Sequence, residues 1–548
     1  MHASGSTGSN RAPLLWLILP LIGGITLSGL LSGRLPTGIC YAGLGIGAAT
    51  MIAARRSDHR WWALGIILTG LSFGALHHDH QRQTLPEWAK LPDREVTVVV
   101  GVDRIFASAY SHRSFSFGGR VVSAHAPSEE IVGQKVQVQL RRPPPETKAA
   151  LARGSRLKLI GQLTPLGPDP ESEFSAYLAD SGYNFRIRQG RWLENTTTPS
   201  AYAQARDELR SRAAKILAQD LEDHPELVGA MQAMLLGQRH ELTDDAKSLF
   251  MRSGTMHLFA ISGLHIGVIA AVLHGLLRAL RISRLTAFII GSGLLLGYVD
   301  LIGQTPSAVR AWLMITCFHG ARVWRAPGNS VAAIAASALL VLLWDPMQLF
   351  SAGFQMSYAI VFALLLYGVP LGEHWQRLVQ PWRDLPVASL SPRQRWVQSR
   401  TEVVLMAGAL TWAASLIGIL SSVTFFGWFT PLAFYANMLL VPLAGLVISG
   451  GFVGILCGLV GVGPWALWFT HAAALVLGIM REALRWGLGS GASHPAEFMS
   501  AWWGQTGMFL VLAAIVMVRE VLSPQNRWRW WGPPLVTILW LVIGLRFT

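Results

Sequence analysis

Residues 257–270 read HLFAISGLHIGVIA, and they belong to an uncharged run from residue 253 to residue 277 that has an arginine at each end. About 20 apolar residues are enough to cross a bilayer, so the run predicts a membrane span. Four of its residues do not suit a lipid-facing helix: His257, Ser262, Gly263 and His265. At helical spacing the two histidines fall on roughly one face. They either hold helix–helix contacts or form a polar stripe along a translocation path.

The composition is that of a polytopic membrane protein with room for one soluble domain, since 51% of the 548 residues are hydrophobic. The net charge of +14 is unevenly distributed. Residues 81–225 hold 20 Lys and Arg against 17 Asp and Glu, whereas the remainder holds 25 against 14. The surplus therefore lies mainly in membrane loops, where the positive-inside rule explains it. The three cysteines lie in apolar runs without paired or metal-ligand spacing, so no disulfide or metal site is predicted.

The N-terminal part predicts three spans, at residues 12–33, 35–54 and 61–78. The basic loop at residues 55–60 (RRSDHR) places its turn in the cytoplasm, so the segment after the third span emerges on the periplasmic side. Residues 1–79 are therefore expected to form an N-terminal transmembrane domain. The cluster HHDH at residues 77–80 either binds a metal or forms a solvated membrane-exit cap, and adjacent positions do not converge readily on one ion.

A β pattern occupies residues 80–198. Its predicted strands are rich in β-branched residues and are separated by Gly and Pro, at residues 96–102, 114–122, 135–140, 156–163 and 184–192. Five short strands over about 100 residues suit a small OB-like β-barrel. Such a barrel can bind single-stranded nucleic acid through basic and aromatic side chains, here Arg104, Arg113, Phe115, Phe117 and Arg120. Phe115 and Phe117 suit the barrel core equally well, because they alternate along one face of a strand.

The rest of the chain is predicted to be helical. Residues 199–252 are expected to form an amphipathic linker on the membrane face, or alternatively a solvated linker helix. Residues 253–488 form the core bundle, with a charged cytoplasmic segment at 373–402, and residues 489–548 add two C-terminal spans. The expected fold is a polytopic α-helical membrane protein of about 11 to 13 spans with the barrel inserted.

Three further polar residues lie within predicted spans. Arg310 follows a helix start at Thr305-Pro306, where free N–H groups suit an anion. It either meets phosphate at the outer mouth or pairs with Asp300. Gln355 makes an interhelical hydrogen bond or lines a pore. Asn437, near Pro442, is a plausible constriction residue. Pro431, Pro442 and the glycines at 450–454 predict broken or re-entrant helices.

Several sequence blocks resemble the ComEC family, the inner-membrane DNA-uptake channels of competent bacteria. The resemblance covers about residues 10–460 and includes an OB-like domain in the place of the predicted barrel. The matching blocks are MLLGQRHELTDDAKSLFMRSGTMHL at 234–258, HLFAISGLHIGV at 257–268, PSAVRAWLM at 306–314, LFSAGFQMSY at 349–358 and FYANMLLVPLAG at 434–445.

The resemblance implies a channel that passes single-stranded DNA into the cytoplasm during natural transformation. No HxHxDH motif of the metallo-β-lactamase-like domain and no GxxxxGK[ST] loop occurs, so a short form without nuclease or ATPase activity is expected. No cofactor or metal is predicted. A periplasmic DNA receptor, a separate nuclease, and a cytoplasmic motor or single-strand binders would be the partners. The alternatives are a transporter of a smaller anionic or lipid-linked substrate, and a membrane-embedded hydrolase.

Overall fold

The computed structural model describes residues 14–31, 36–54, 59–82, 91–105, 114–126, 128–141, 154–166, 175, 178–179, 181–197, 200–324, 329–379, 382, 385, 389–431, 433–487 and 493–547. The chain forms two compact units. The first contains residues 1–212 and 281–351, and the second contains residues 213–280 and 352–548.

The helices before the core bundle are α1 (Leu15–Leu30), α2 (Thr37–Ala54), α3 (His59–Arg82), α4 (Ala201–Ala218), α5 (Pro225–Leu236) and α6 (Asp244–Arg252). The bundle begins with α7 (Gly263–Ala279), α8 (Arg284–Leu301), α9 (Pro306–Val323), α10 (Ser330–Trp344) and α11 (Ala352–Ala363). A π-helical turn at Leu364–Gly368 joins α11 to α12 (Val369–Val379). The last helices are α13 (Pro392–Phe426), α14 (Ala433–Val460), α15 (Gly463–Gly487), α16 (Ala501–Val521) and α17 (Trp528–Gly544).

A helix occupies every predicted span position. Among the described residues, seven helical segments are long and apolar enough to cross a membrane, and three shorter helices are also apolar. Local sequence sets several of their ends. Asn329 caps α10 by accepting from two backbone N–H groups, and Ser391 and Gln394 form a capping box at the start of α13. The prediction of a polytopic helical protein is confirmed.

The barrel is also confirmed. Its strands are β1 (Arg94–Ile105), β2 (Ser114–Ala124), β3 (Lys135–Arg141), β4 (Arg156–Pro165) and β5 (Phe185–Thr197). They close in the order β1-β2-β3-β5-β4, with β3 and β5 parallel and the other pairs antiparallel. Inward-facing side chains repeat every second residue, as in the valines at positions 96, 98, 100 and 102, and they fill a single apolar core.

The prediction that Pro442 breaks a helix is wrong. Pro442 lies within the continuous helix α14, and neighbouring segments can compensate for a proline inside a membrane helix. The glycines that follow it serve close packing. A Cβ at Gly451 would lie 2.3 Å from Leu235 Cδ1, and a Cβ at Gly454 would lie 2.7 Å from Thr470 Cγ2.

A second, small sheet was not predicted. It joins β6 (Trp428–Phe429), β7 (His494–Phe498) and β8 (Leu545–Phe547) in that order. These strands follow α13, α15 and α17 respectively, so the sheet ties together three connections of the second unit.

Candidate functional site

Residues 257–270, here called the signature stretch, contain a broken helix. Residues Met256–Phe259 form a 3-10 turn, the backbone is extended at Ala260 and Ser262, and α7 begins only at Gly263. The prediction that His257 and His265 share one continuous helical face is therefore wrong. The break has a local cause, because a serine with extended backbone is a favourable residue to precede a helix.

Ser262 and His265 hold this helix start together. The backbone N–H of Ser262 donates to His265 Nδ1 at 3.3 Å, and Ser262 Oγ lies 3.0 Å from the same nitrogen. This resembles a capping box in which an imidazole takes the place of the usual Glu or Gln. Because Nδ1 accepts a hydrogen bond, the neutral ring carries its proton on Nε2. His265 is fully buried, whereas His257 and Gly263 are exposed.

Residues that precede the break in the chain stabilise it through a hydrogen bond and a ring contact. Arg239 Nε donates to the carbonyl oxygen of Phe259 at 3.2 Å. The Phe259 ring meets Phe250 edge-on, with ring centroids 4.5 Å apart, which packs the 3-10 turn against α6. Side-chain contacts therefore stabilise this break in the helix, and His257 and Gly263 remain exposed there.

Gly254 brings the start of α14 to this break. Its φ angle is +69°, and a Cβ there would lie 3.1 Å from Ala433 Cβ and 3.2 Å from Thr430 Cγ2. Asn437 lies one turn into the same helix, and α7 also packs against α14. The structure thus places Asn437 on an element that adjoins the signature stretch.

At the break and at the start of α14, three buried polar atoms make no hydrogen bond with any other described atom. They are His265 Nε2, Thr430 Oγ1 and Asn437 Oδ1. Buried polar atoms are nearly always satisfied, and each exception calls for water, an ion or a ligand. His265 belongs to α7, Asn437 to the start of α14 and Thr430 to the turn before α14. These elements of the second unit therefore contain polar atoms without protein partners.

Gln355 and Arg310 lie elsewhere. Gln355 is half-buried on α11, which packs against α13 in the second unit. Arg310 belongs to the first unit, one turn into α9, and is only 2% exposed. Asp300, the alternative partner predicted for Arg310, accepts from Tyr202 at 2.7 Å and from Gln304 at 2.6 Å, with Arg206 4.0 Å away.

The barrel corrects part of the predicted DNA contact. Phe115 and Phe117 are 1% and 0% exposed and belong to the barrel core, so they offer no face for base stacking. They occupy inward positions of a closed barrel, where apolar burial outweighs any gain from surface exposure. Arg120 is exposed. The Arg104 side chain and the whole of Arg113 lie outside the described residues.

The histidines at the end of α3 do not converge. His78 is buried and its Nδ1 lies 3.0 Å from Ser28 Oγ on α1. The ring of His77 stacks on Phe73 with centroids 5.6 Å apart. His80 lines a polar cavity beside the barrel. The sequence alone does not predict that cavity, because apart from Gln81 its other lining residues belong to the barrel domain and are distant from His80 in the chain.

Comparison with known proteins gives a consistent family. The family model described as "Competence protein" matches residues 234–522, which is more than half of the chain. ComE operon protein 3 of Bacillus subtilis is 37% identical over 142 residues, covering 26% of this chain and 18% of that protein. Competence protein ComA of Neisseria gonorrhoeae is 29% identical over 242 residues, covering 41% and 32% respectively.

A third relative, Recombination protein 2 of Haemophilus influenzae, is 28% identical over 184 residues, covering 32% of this chain and 22% of that protein. The matches therefore span less than half the length of each of these relatives. No solved structure matches the chain.

Proposed function

Because this chain belongs to the competence protein family, we propose that it forms an inner-membrane channel that passes single-stranded DNA into the cytoplasm during natural transformation. Three features support this. Relatives carry names from competence and recombination. The many apolar helices suit a membrane protein, and an OB-like barrel is inserted among them. We assign the inner membrane as its location and the periplasm as the side of the barrel.

The unsatisfied polar atoms of α7, of the start of α14 and of the turn before it carry the proposal. His265, Thr430 and Asn437 each bury a polar atom that no described protein atom satisfies. A strand of DNA moving through hydrocarbon must exchange its water for dipoles of the protein. Hydroxyl, imidazole and amide groups, with the exposed N-terminus of α7 at Gly263, provide such dipoles without binding phosphate tightly enough to stop release.

The other candidate residues take different roles in this proposal. His257 and Ser262 border the entrance to the polar break, and Gln355 contributes an amide on α11. Arg310 is buried, so it acts through its positive field on the polyanion and not by direct contact. Arg104 and Arg113 remain the barrel residues proposed to guide the strand.

The channel chemistry requires no cofactor, metal or catalytic residue from this chain. A periplasmic receptor would deliver DNA, a separate nuclease would remove one strand, and a cytoplasmic motor or single-strand binders would pull the other strand inward.

The test is translocation into vesicles. We would reconstitute the purified chain into liposomes that contain a trapped single-strand-binding protein, which makes entry favourable. A fluorescent single-stranded oligonucleotide should become resistant to external nuclease, whereas a duplex of the same length should not. If vesicles admit a nucleoside monophosphate but exclude every oligonucleotide, the chain is a transporter of small anions and the channel proposal fails.

A pair of variants on α14 locates the path. Asn437→Leu replaces the unsatisfied amide with an apolar group and should lower oligonucleotide entry on the order of tenfold, since one lost polar contact contributes about 1–3 kcal/mol. Met438→Leu is the matched control, because Met438 is exposed and apolar on the same helix. Equal entry by both variants would remove Asn437 from the path.

A further inference from the structure

A polar cavity of about 220 Å³ lies in the first unit, where the barrel meets the C-terminal end of α3. Its wall contains cationic, imidazole and amide side chains, namely His80, Gln81, Arg120, Gln134, Lys135 and Asn184. Gly133 and Gly182 complete the wall, both with positive φ angles. Among the described residues, no acidic side chain lines the cavity. The composition of the wall therefore suits an anion.

Two of these cations oppose each other directly. Arg120 on β2 and Lys135 on β3 are partners in the antiparallel register, and like charges in that arrangement are destabilising. Arg120 Nη1 donates to the Gly133 carbonyl at 3.2 Å, and Lys135 Nζ donates to the Ser181 carbonyl at 3.3 Å. Among the described carboxylates, none lies within the 4.0 Å ion-pair distance of either cation. The barrel thus places two cations side by side without a carboxylate to neutralise them.

The amide side chains add donors. Asn184, which is 6% exposed, donates through Nδ2 to Gln134 Oε1 at 2.8 Å. That bond uses the acceptor of Gln134 and leaves its amino group as a donor. Oxyanions accept such bonds, and charge-assisted hydrogen bonds are the stronger kind.

The C-terminal ends of α3 and α10 lie beside the cavity. Its wall includes the last turn of α3, and Gln81 Nε2 donates to the Trp344 carbonyl at the end of α10 at 3.1 Å. The Trp344 side chain is 85% exposed, and tryptophans at the ends of membrane helices sit at the depth of lipid headgroups. The space is large enough for one phosphodiester with its glycerol, whereas a nucleic-acid strand needs an extended groove.

We propose that this cavity binds the headgroup of an anionic phospholipid such as phosphatidylglycerol. The phosphodiester accepts hydrogen bonds from Arg120, Lys135 and Gln134, while the acyl chains lie in the bilayer beside α3. A bound lipid neutralises the opposed cations and fixes the barrel to the membrane surface. This role is separate from DNA passage, since Arg120 shares the cavity with the C-terminal end of α3.

The experiment uses the full chain, stripped of lipid in a neutral detergent, and native mass spectrometry with short-chain lipids as probes. Dihexanoyl-phosphatidylglycerol should bind more tightly than dihexanoyl-phosphatidylcholine. The double variant Arg120→Gln/Lys135→Gln should weaken phosphatidylglycerol binding about 25-fold, because each basic side chain near an anionic headgroup contributes about fivefold. Arg188→Gln/Arg191→Gln is the matched control, since it removes the same charge from exposed positions on β5.

The outcomes separate the possible ligands. Retained affinity in the control variant together with loss in the cavity variant supports the proposal. Equal affinity of the wild-type chain for the two lipids overturns it, and this result does not depend on whether any variant folds. Loss of oligonucleotide binding in the cavity variant, with lipid binding unchanged, overturns it in favour of a DNA phosphate. Competition by inorganic phosphate as effective as by the lipid would identify a free-phosphate site instead, which also overturns it.

Discussion

Gly254 shows how one residue holds the signature stretch to α14. Its φ angle of +69° is costly for any residue with a Cβ, by about 1–2 kcal/mol. A Cβ would also press on Ala433 at 3.1 Å. Gly254→Ala should therefore lower the apparent melting temperature of the detergent-solubilised protein by about 2–6 °C. It should also reduce oligonucleotide entry into vesicles, because the polar break would shift relative to Asn437.

Gly267→Ala is the control for this substitution. Gly267 lies in α7, close to the same break, and a Cβ there would meet nothing within 4 Å. Alanine favours helix over glycine by up to about 1 kcal/mol, so this variant should be as stable as the wild type or slightly more stable. A Gly254→Ala protein that melts with the wild type would show that neither the backbone conformation nor the contact with α14 matters.

Glu226 gives a pH-dependent contribution to stability at the start of α5. Its own backbone N–H bonds to the carboxylate and lowers its pKa, burial opposes that effect, and Arg481 Nη1 at 3.0 Å lowers the pKa further. A lowered folded-state pKa means that the stabilisation is present above the ordinary glutamate value of about 4.3 and is lost as the pH falls below it.

Glu226→Gln should therefore lower the melting temperature at pH 7 and flatten its dependence on pH between about 5 and 3. Glu222→Gln, at an exposed position just before α5, should change neither. Thermal unfolding at several pH values measures both effects. If the melting temperature of Glu226→Gln falls with pH as steeply as that of the wild type, this carboxylate has the same pKa in the folded and unfolded states.

Sequence patterns show which residues are polar or aromatic, but they do not show what surrounds each side chain in the fold. Alternation along β2 suited both a stacking platform and a core for Phe115 and Phe117, and only the closed barrel decides for the core. Likewise, an eight-residue spacing suggests one face for His257 and His265 only if the backbone between them is helical. The opposition of Arg120 and Lys135 depends on strand register, which one strand's sequence does not reveal.

At the scale of elements, glycines let α1 and α3 pack backbone against backbone. A Cβ at Gly24 would lie 2.0 Å from the Leu71 carbonyl oxygen, and a Cβ at Gly74 would lie 2.4 Å from that of Leu21. Small residues at such interfaces allow the close approach that drives helix association in membranes. Because the obstacle is backbone and not a flexible side chain, the two helices must separate to admit even one methyl group.

Gly24→Ala should therefore destabilise the first unit by about 1–3 kcal/mol, the usual range for overpacking. Gly45→Ala on α2 is the control, since its Cβ would meet nothing within 4 Å. Thermal unfolding monitored by tryptophan fluorescence compares the two variants. Matching melting curves for Gly24→Ala and Gly45→Ala would show that the tight α1–α3 contact contributes nothing to stability.

Charge and hydropathy predict where the helices lie along the chain. They do not predict whether a helix is continuous or interrupted. Uncharged runs bounded by Arg or Asp predicted where helices lie, because charged side chains are excluded from hydrocarbon. The break before Gly263 and the unbroken α14 at Pro442 were both missed. In each case a local signal competes with packing: Ser262 and His265 stabilise a new helix start, whereas neighbouring segments tolerate a proline.

At the scale of the whole molecule, the residues proposed for the DNA path divide between the two units. Arg310 belongs to the first unit, and the signature stretch, Gln355 and Asn437 belong to the second. The family match from residue 234 to residue 522 includes segments of both. Each unit therefore contributes its own candidate residues, and each set calls for its own variant in the transport assay.

The membrane topology decides whether the barrel faces the compartment from which DNA arrives. If the barrel is periplasmic and the turn between α16 and α17 is cytoplasmic, single cysteines at exposed positions in each should react differently with an impermeant maleimide. Gln139→Cys on β3 should label in intact cells, whereas Gln525→Cys should label only after permeabilisation. The positive-inside rule supports this orientation through the arginines at 519, 527 and 529.

The native cysteines lie in apolar runs, and labelling of the chain without an added cysteine measures their background. Labelling of Gln525→Cys in intact cells would invert the orientation, and the barrel could then not receive DNA from outside.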